Sequence, residues 1–348
     1  MMKNLFVSII IPMNNLSYYF MYEALPALNN QIYKRFEVIA LVNEHSLYDI
    51  TLLKKYRWLK IIATEKITRP AQKRDIGSKL ARGEVLAFID DDAYPDQLWL
   101  QNAVQILQNL KIRHHERLAA VCGPGLLPKD SELWEKIFDE VLKSNLGAGQ
   151  YTYRFSKEEQ RFVDDYPSMN FFIYKKIFTQ LGGFNNNYWP GEDSKLCNDL
   201  VYKEKKYILY RPNIIVFHHR RKNIEGYLRQ HASYGFHRGA FFAHGDKNSR
   251  RITYLAPTFF IFYLLIFIYA TFAFFLHPIS LSQYYLVSMP LILYLFIQLY
   301  FLIKSLINTK NPLLALAAAA VLFLTHLVYG IMFVKGFIVG LVKKEKLY

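Results

Sequence analysis

The chain has 348 residues, with 43 Lys and Arg against 28 Asp and Glu, a formal net charge of +15 and a hydrophobic fraction of 52%. That length allows one sizeable domain plus a second element, and the charge points to anionic partners: phosphates, nucleotides or acidic lipid headgroups. Its two cysteines, Cys122 and Cys197, exclude a disulfide framework and a cysteine-based metal site, and no recognised nucleic-acid module accompanies the charge.

Residues 5–12, LFVSIIIP, read as a buried strand; the run is too short for a signal-peptide core and breaks at Pro12-Met13-Asn14-Asn15. A helical stretch over 18–29 leads to a strand over 36–42 and the polar loop Asn43-Glu44-His45-Ser46. A helix over 47–56 and a strand over 59–63 follow. Residues 69–82, RPAQKRDIGSKLAR, form a loop and helix that Gly83 stops, and 85–89 is a fourth strand. This alternation predicts an α/β fold, a mostly parallel Rossmann-like sheet with helices on both faces.

The fourth strand runs straight into Asp90, Asp91 and Asp92, at the strand end where open α/β sheets take ligands. Alternate side chains, Asp90 and Asp92, can converge on one divalent cation, with a diphosphate completing the oxygen shell. An isolated acidic triplet is more often a solvated turn, so the rest of the chain has to decide.

A helix over 98–110, a strand over 118–123 and a helix over 131–142 come next. Residues 145–165 are expected to be a mobile loop over the site. An apolar, aromatic stretch over 168–174 and a short helix reach Leu181-Gly182-Gly183-Phe184. The polar turn 185–193, NNNYWPGED, sets Glu192 and Asp193 at the start of a helix over 194–205, where the helix dipole favours an acid. A strand over 208–219 and a basic helical segment over 220–251 lead into the tail.

Apolar stretches 253–276, 284–307 and 313–342 are expected membrane spans. The chain then divides into a catalytic domain, 1–245, and a membrane domain, 246–348. Lys247, Arg250 and Arg251 precede the first span and 277–283 has no Lys or Arg, so the positive-inside rule puts the N-terminal domain in the cytoplasm of a multi-pass inner-membrane protein. Lys304 and Lys310 agree. Lys343, Lys344 and Lys346 disagree if the third stretch crosses, so either the tail breaks the rule or 330–342 folds back along the inner interface.

The blocks VSIIIP, FEVIALVNEHS, RDIG with ARGEVLAFIDDDAYP, MNFFIYKKIFTQLGGF, GED and IIVFHH occur in one order over residues 5–245. Together they resemble family 2 glycosyltransferases of GT-A fold, most specifically through ARGEVLAFIDDDA and GGF with GED. The resemblance implies a nucleotide-sugar donor and a divalent metal, Mg2+ or Mn2+. Asp90 and Asp92 match the family's D-x-D, the first near the ribose and the second on the metal, and His218 matches a further metal or diphosphate contact. Asp193 matches the base that takes the acceptor's hydroxyl proton. Pro12, Glu44, Arg74 and Asp91 fall on the nucleotide-sugar, and Asn170 and Gly183 on its sugar side. Three departures stand out. Asn43-Glu44 replaces a common pair of aspartates, which leaves the nucleotide open, and Asp75 stands where Asn is usual. No Gln-x-x-Arg-Trp follows Arg229-Gln230-His231, which favours transfer of one sugar.

The chemistry runs parallel to that resemblance. Negative charge builds on the departing diphosphate, and a divalent cation stabilises it as a Lewis acid. Arg220, Arg221 and Lys222 either assist there or face anionic lipid. A carboxylate base working without a covalent intermediate predicts inversion at the anomeric carbon. Trp189 is expected to stack on a sugar ring or to pack in the core, and His326 is a costly polar group inside an apolar stretch. The expected function is a membrane-anchored, inverting hexosyltransferase that passes a sugar to a hydroxyl of a lipid-linked saccharide in cell-surface polysaccharide synthesis. Its rivals are a polyprenyl-phosphate glycosyltransferase and a non-catalytic nucleotide-sugar-binding membrane scaffold.

Overall fold

The computed structural model describes residues 5–112, 114–184, 191–276 and 280–342. Trp189 and the rest of 185–190 lie outside the described residues. Contacts divide the chain into two units, one of residues 5–129 with Tyr153–His219, the other of Asp130–Thr152 with residues 220–342.

The first unit is built on an eight-stranded sheet in the order β3-β2-β1-β4-β9-β6-β10-β8. Its strands are β1 (Val7–Pro12), β2 (Phe36–Val42), β3 (Leu59–Ala63), β4 (Val85–Ile89), β6 (Leu118–Cys122), β8 (Arg161–Val163), β9 (Asn170–Tyr174) and β10 (Tyr207–Tyr210). β1, β2, β3 and β4 pair in parallel, as do β6 and β10, whereas β9 runs antiparallel between β4 and β6. The sheet is thus mixed and mostly parallel. β1, β2 and β4 are buried at every position, as continuous apolar strands covered on both faces must be. Ile9 and Ile11 join a cluster with Leu25 and Leu28 of α1 (Leu25–Asn29) and Trp99 and Leu100 of α4 (Trp99–Leu107). On the other face, a Cβ at Gly77 of α3 (Pro70–Leu80) would sit 2.7 Å from Ile10, so helix and strand meet closely there. α2 (Asp49–Lys55) precedes β3.

A small second sheet, β5-β11-β7, joins β5 (Ala93–Pro95), β7 (Gly125–Leu126) and β11 (Val216–His218). The expected single strand over 208–219 is therefore two strands in different sheets. Pro212, which has no N–H to give a ladder, sits in the turn between them, where Ile214 N–H bonds Arg211 O. Residues 145–165 are likewise not one mobile loop. They form α6 (Asn145–Ala148), a 3-10 stretch over Gly149–Arg154 and the edge strand β8, paired to β10. α7 (Lys175–Gln180) and α8 (Glu192–Asn198) complete this unit's helices, and α8 passes into a π-helical turn, Asp199–Lys203. Gly83 lies past the end of α3 in an ordinary backbone conformation. A Cβ there would meet the Ser8 nitrogen at 2.6 Å, and close approach to β1 is what requires glycine.

The second unit contains α5 (Leu133–Leu142), α9 (Ile224–His244) and the tail helices α10 (Ala256–Leu276), α11 (Leu281–Thr309) and α12 (Pro312–Val342). Among the described residues these last three are long and apolar enough to cross a membrane, and they mark the chain as membrane-associated. α12 is continuous through Gly330, so 330–342 is not a separate segment folded back on it.

Candidate active site

In the order β3-β2-β1-β4, the chain winds away from β1 in one direction and returns on its other side at β4. A crevice opens at such a reversal, outside the carboxyl ends of the strands. Pro12 ends β1, Asn43 follows β2 and Asp90 follows β4, so three loops meet there.

One oxygen or nitrogen atom each of Asp90, Asp92 and His218 lies within 4.8 Å of the others. The register of the small sheet explains the histidine: His218 pairs with Ala93, one residue past Asp92, and its Nε2 is 3.0 Å from Asp92 Oδ1. Two carboxylates and an imidazole, all partly exposed, are a donor set suited to Mg2+ or Mn2+. Asp91 turns elsewhere. Desolvation, then the charges of Asp92 and Asp90, push its carboxyl up to about 7.

Arg74, buried on α3, donates from Nη2 to Asp90 Oδ1 at 2.6 Å, and its Nη1 lies 3.5 Å from Glu192 Oε1. The acid cluster and the start of α8 are thus joined through one guanidinium. Glu192 also accepts from Gly191 N–H at 2.9 Å. Asp193, next along, is partly exposed. It accepts from Ser194 N–H at 2.8 Å and from Ser168 N–H at 3.3 Å. Desolvation, then the negative charges of Glu192 and Asp165, push its carboxyl up to about 7. A carboxyl poised there can hold or release a proton near neutral pH.

Behind it lies a network that the local sequence pattern did not signal. Ser194 Oγ donates to Asp165 Oδ1 at 2.7 Å, and Arg154 Nη2 bonds Asp165 O at 2.6 Å. Asp165 is 29 positions from Ser194, and only the fold brings them together.

A cleft of about 330 Å³ is lined by Pro12 through Ser17, Thr68, Pro70, Lys73 and Asp91. Pro12 and Asp91, which the resemblance assigns to the nucleotide-sugar, both line it. Lys73, one residue before Arg74, escaped notice because its neighbours carry the recognisable motif. Its buried ammonium donates to Met13 O at 2.6 Å and Asn43 Oδ1 at 2.5 Å. Desolvation pulls its pKa down, against the charge of Asp91. Asn43 is therefore tied to the cleft floor, while Glu44 is exposed on the same loop.

Other residues named from the sequence have partners within the scaffold. Asn170 is fully buried: its Nδ2 donates to Gly123 O at 2.6 Å and Ile214 O at 2.7 Å, and its Oδ1 accepts from Trp99 Nε1 at 2.8 Å. Gly183, at φ +80°, packs on Asp75, whose Oδ1 accepts the Phe184 N–H at 2.9 Å. Asp75, unusual for the family, caps this turn. Arg220 is buried against Asp139 at 2.8 Å and Lys222 lies 3.5 Å from Glu132, so both basic side chains have acid partners in the second unit.

Residues 8–174 match the Glycosyl transferase family 2 pattern; the match ends short of Asp193 and His218. The chain is 27% identical over 343 residues to the dolichyl N-acetyl-alpha-D-glucosaminyl phosphate 3-beta-D-2,3-diacetamido-2,3-dideoxy-beta-D-glucuronosyltransferase of Methanococcus voltae, covering 96% of this chain and 98% of that protein. Its fold is similar to a mannosyltransferase from Pyrobaculum calidifontis solved with GDP-Man and Mn2+, with a TM-score of 0.58, 17% identity, and coverage of 91% of this chain and 86% of that one. With the sheet order, the crevice and the acid cluster, these likenesses show a Glycosyl transferase family 2 domain of GT-A fold, followed in the C-terminal part by three long apolar helices.

Proposed function

We propose that the protein is a metal-dependent, inverting transferase of one hexose-type sugar, from a nucleotide-sugar to a hydroxyl of a lipid-linked saccharide. The observation that carries this is the pairing of two carboxylate groups through Arg74: the cluster Asp90, Asp92 and His218 on one side, Glu192 and Asp193 on the other. Asp90, Asp92 and His218 would hold the cation, which when bound neutralises charge on the leaving diphosphate. Arg74 orients Asp90, and the cleft beside Lys73 and Asp91 receives the nucleotide. Asp193 accepts the acceptor's hydroxyl proton, so the sugar passes directly, with inversion. The donor class is supported by the fold neighbour solved with GDP-Man and Mn2+. The acceptor class is supported by the relative whose name carries a dolichyl-linked N-acetylglucosaminyl phosphate. Apolar tail helices agree with a lipid-borne substrate and with a catalytic domain on the cytoplasmic side of the inner membrane.

The test is a nucleotide-sugar panel on the full chain in detergent, with Mn2+, Mg2+ or EDTA, read by calorimetry and by product NMR. Wild type should bind one nucleoside diphosphate only with metal, and Asp92→Asn should lose that binding. Asp193→Asn should bind normally and transfer about 10²–10⁴-fold more slowly. Full transfer by Asp193→Asn would point instead to a polyprenyl-phosphate acceptor. Absence of nucleotide binding with either metal would overturn the reading.

A further inference from the structure

The three apolar helices differ in what covers them. α10 and α11 form a hairpin: Tyr263 Oη donates to Val287 O at 3.0 Å and accepts from Leu291 N–H at 3.0 Å, and Phe274 stacks on Tyr284. Over much of their length their outer surfaces are exposed and apolar, as at Phe262, Leu265, Tyr269, Leu286 and Leu293, which suits lipid. At one end they also meet α12: Thr258 Oγ1 bonds Gly330 O at 3.3 Å and Tyr294 Oη bonds His326 Nδ1 at 2.9 Å.

α12 is covered along one face by helices that carry charge. Its first half, at Leu314, Ala318, Val321 and Leu322, packs with Ile137, Phe138 and Val141 of α5. α5 bears Asp139, buried with Arg220, and Glu135, which accepts the Arg220 N–H at 3.0 Å. The second half lies against α9. A Cβ on Gly235 would sit 2.5 Å from Tyr329 O, Gly239 meets the backbone of Phe333, and Gly336 meets that of Phe236. No side chain fits between the two backbones, so α9 and α12 stay together wherever either goes. α9 carries the exposed pair Glu225–Arg229 as well as Arg238.

A crossing needs about 20 successive residues in hydrocarbon, and α12 has no such length clear of a charge-bearing helix. Its uncovered face is an apolar stripe at helical spacing: Leu313, Leu316, Ile331, Ile338 and Leu341. Apolar on one side and charged through its partners on the other, this is the surface of an element that lies on a bilayer.

We propose that α12 does not cross. Its exposed stripe rests on the acyl boundary of one leaflet, with α5 and α9 on its aqueous side, and only α10 and α11 span. Taking α12 through would draw Glu225 and Arg229 into hydrocarbon, where ionised side chains are strongly disfavoured. Kept at the surface, Arg229 stays in water beside anionic headgroups.

Single cysteines at Ser280, Lys310 and Val342 test this in the full chain, since Cys122 and Cys197 are buried and give little background. A maleimide that cannot cross membranes is applied to intact cells and to inverted vesicles. Ser280→Cys should react only in cells, and Lys310→Cys and Val342→Cys only in inverted vesicles. Reaction of Val342→Cys from outside, or from neither face, overturns the proposal. The labelling reads no activity, so either result leaves the glycosyl-transfer reading standing.

Discussion

Replacing Asn170 with alanine tests whether this residue is a strut of the sheet or a wall of the sugar site. Its amide side chain satisfies three buried groups at once: Gly123 O, Ile214 O and Trp99 Nε1. Gly123 O keeps a second partner in the Tyr166 hydroxyl, so two groups lose the bond that Asn170 supplies. At about 1–3 kcal/mol for each buried group left unsatisfied, plus a small void, the loss comes to about 3–5 kcal/mol. For a unit of this size that corresponds to a fall in Tm of about 6–20 °C. Thermal unfolding in detergent, followed by tryptophan fluorescence, reads it. Asn170→Asp is a second arm: an ionised carboxylate would face two carbonyls, so its Tm should recover on acidification, when the protonated form can donate to one of them. A shift of under about 2 °C for Asn170→Ala, together with loss of donor binding, would refute this reasoning and return Asn170 to the sugar.

Transfer should rise with pH through about 7, because Asp193 must be ionised to accept a proton and its folded-state pKa is raised to that value. A rate that is flat from pH 6 to 8 at saturating substrate would remove Asp193 from that role. Glu37 behaves in the opposite way. Desolvation pushes its carboxyl up, but Lys60, the Arg82 N–H and the Ser8 hydroxyl outweigh this and hold it at about 2. Its stabilisation is therefore complete above the ordinary value of 4.5 and is lost as pH falls from there toward 2. Glu37→Gln should cost about 1–3 kcal/mol at pH 7 and flatten the acid limb of a stability–pH curve. Gly183→Ala should cost about 1–2 kcal/mol for its left-handed backbone, and more as its Cβ presses on Asp75 Oδ1 at 2.5 Å. Asp75→Asn keeps an acceptor for Phe184 N–H and should unfold within a few degrees of wild type.

The sheet was legible where strands are continuous apolar runs. Phe36–Val42, Leu59–Ala63 and Val85–Ile89 fall where the pattern puts them, because each is dominated by apolar, mostly β-branched or aliphatic residues, with Glu37 and Lys60 the lone polar interruptions. Legibility failed where pairing, not composition, makes a strand. β8 and β11 have three residues each, too few to show a period, and their partners lie far away in sequence: Arg161 pairs with Tyr210 and Val216 with Pro95. The acid cluster was readable from Asp90 and Asp92 because alternate side chains of one segment already converge. Lys73 and Asp165 were not: a lysine on a polar helix looks like any solvated one until Met13 and Asn43 close over it, and Asp165 acquires meaning only beside Ser194.

The place of β9 has a consequence for synthesis. β1 to β4 can pair as soon as Ile89 has been made, but the free flank of β4 stays open until β9 arrives, about 85 residues later at Tyr174. At about 5–20 residues per second, an apolar strand with an unpaired ladder is exposed for about 4–17 s on every nascent chain. Such an edge is a template for other strands, so this window is where the protein is most open to aggregation and most in need of a chaperone.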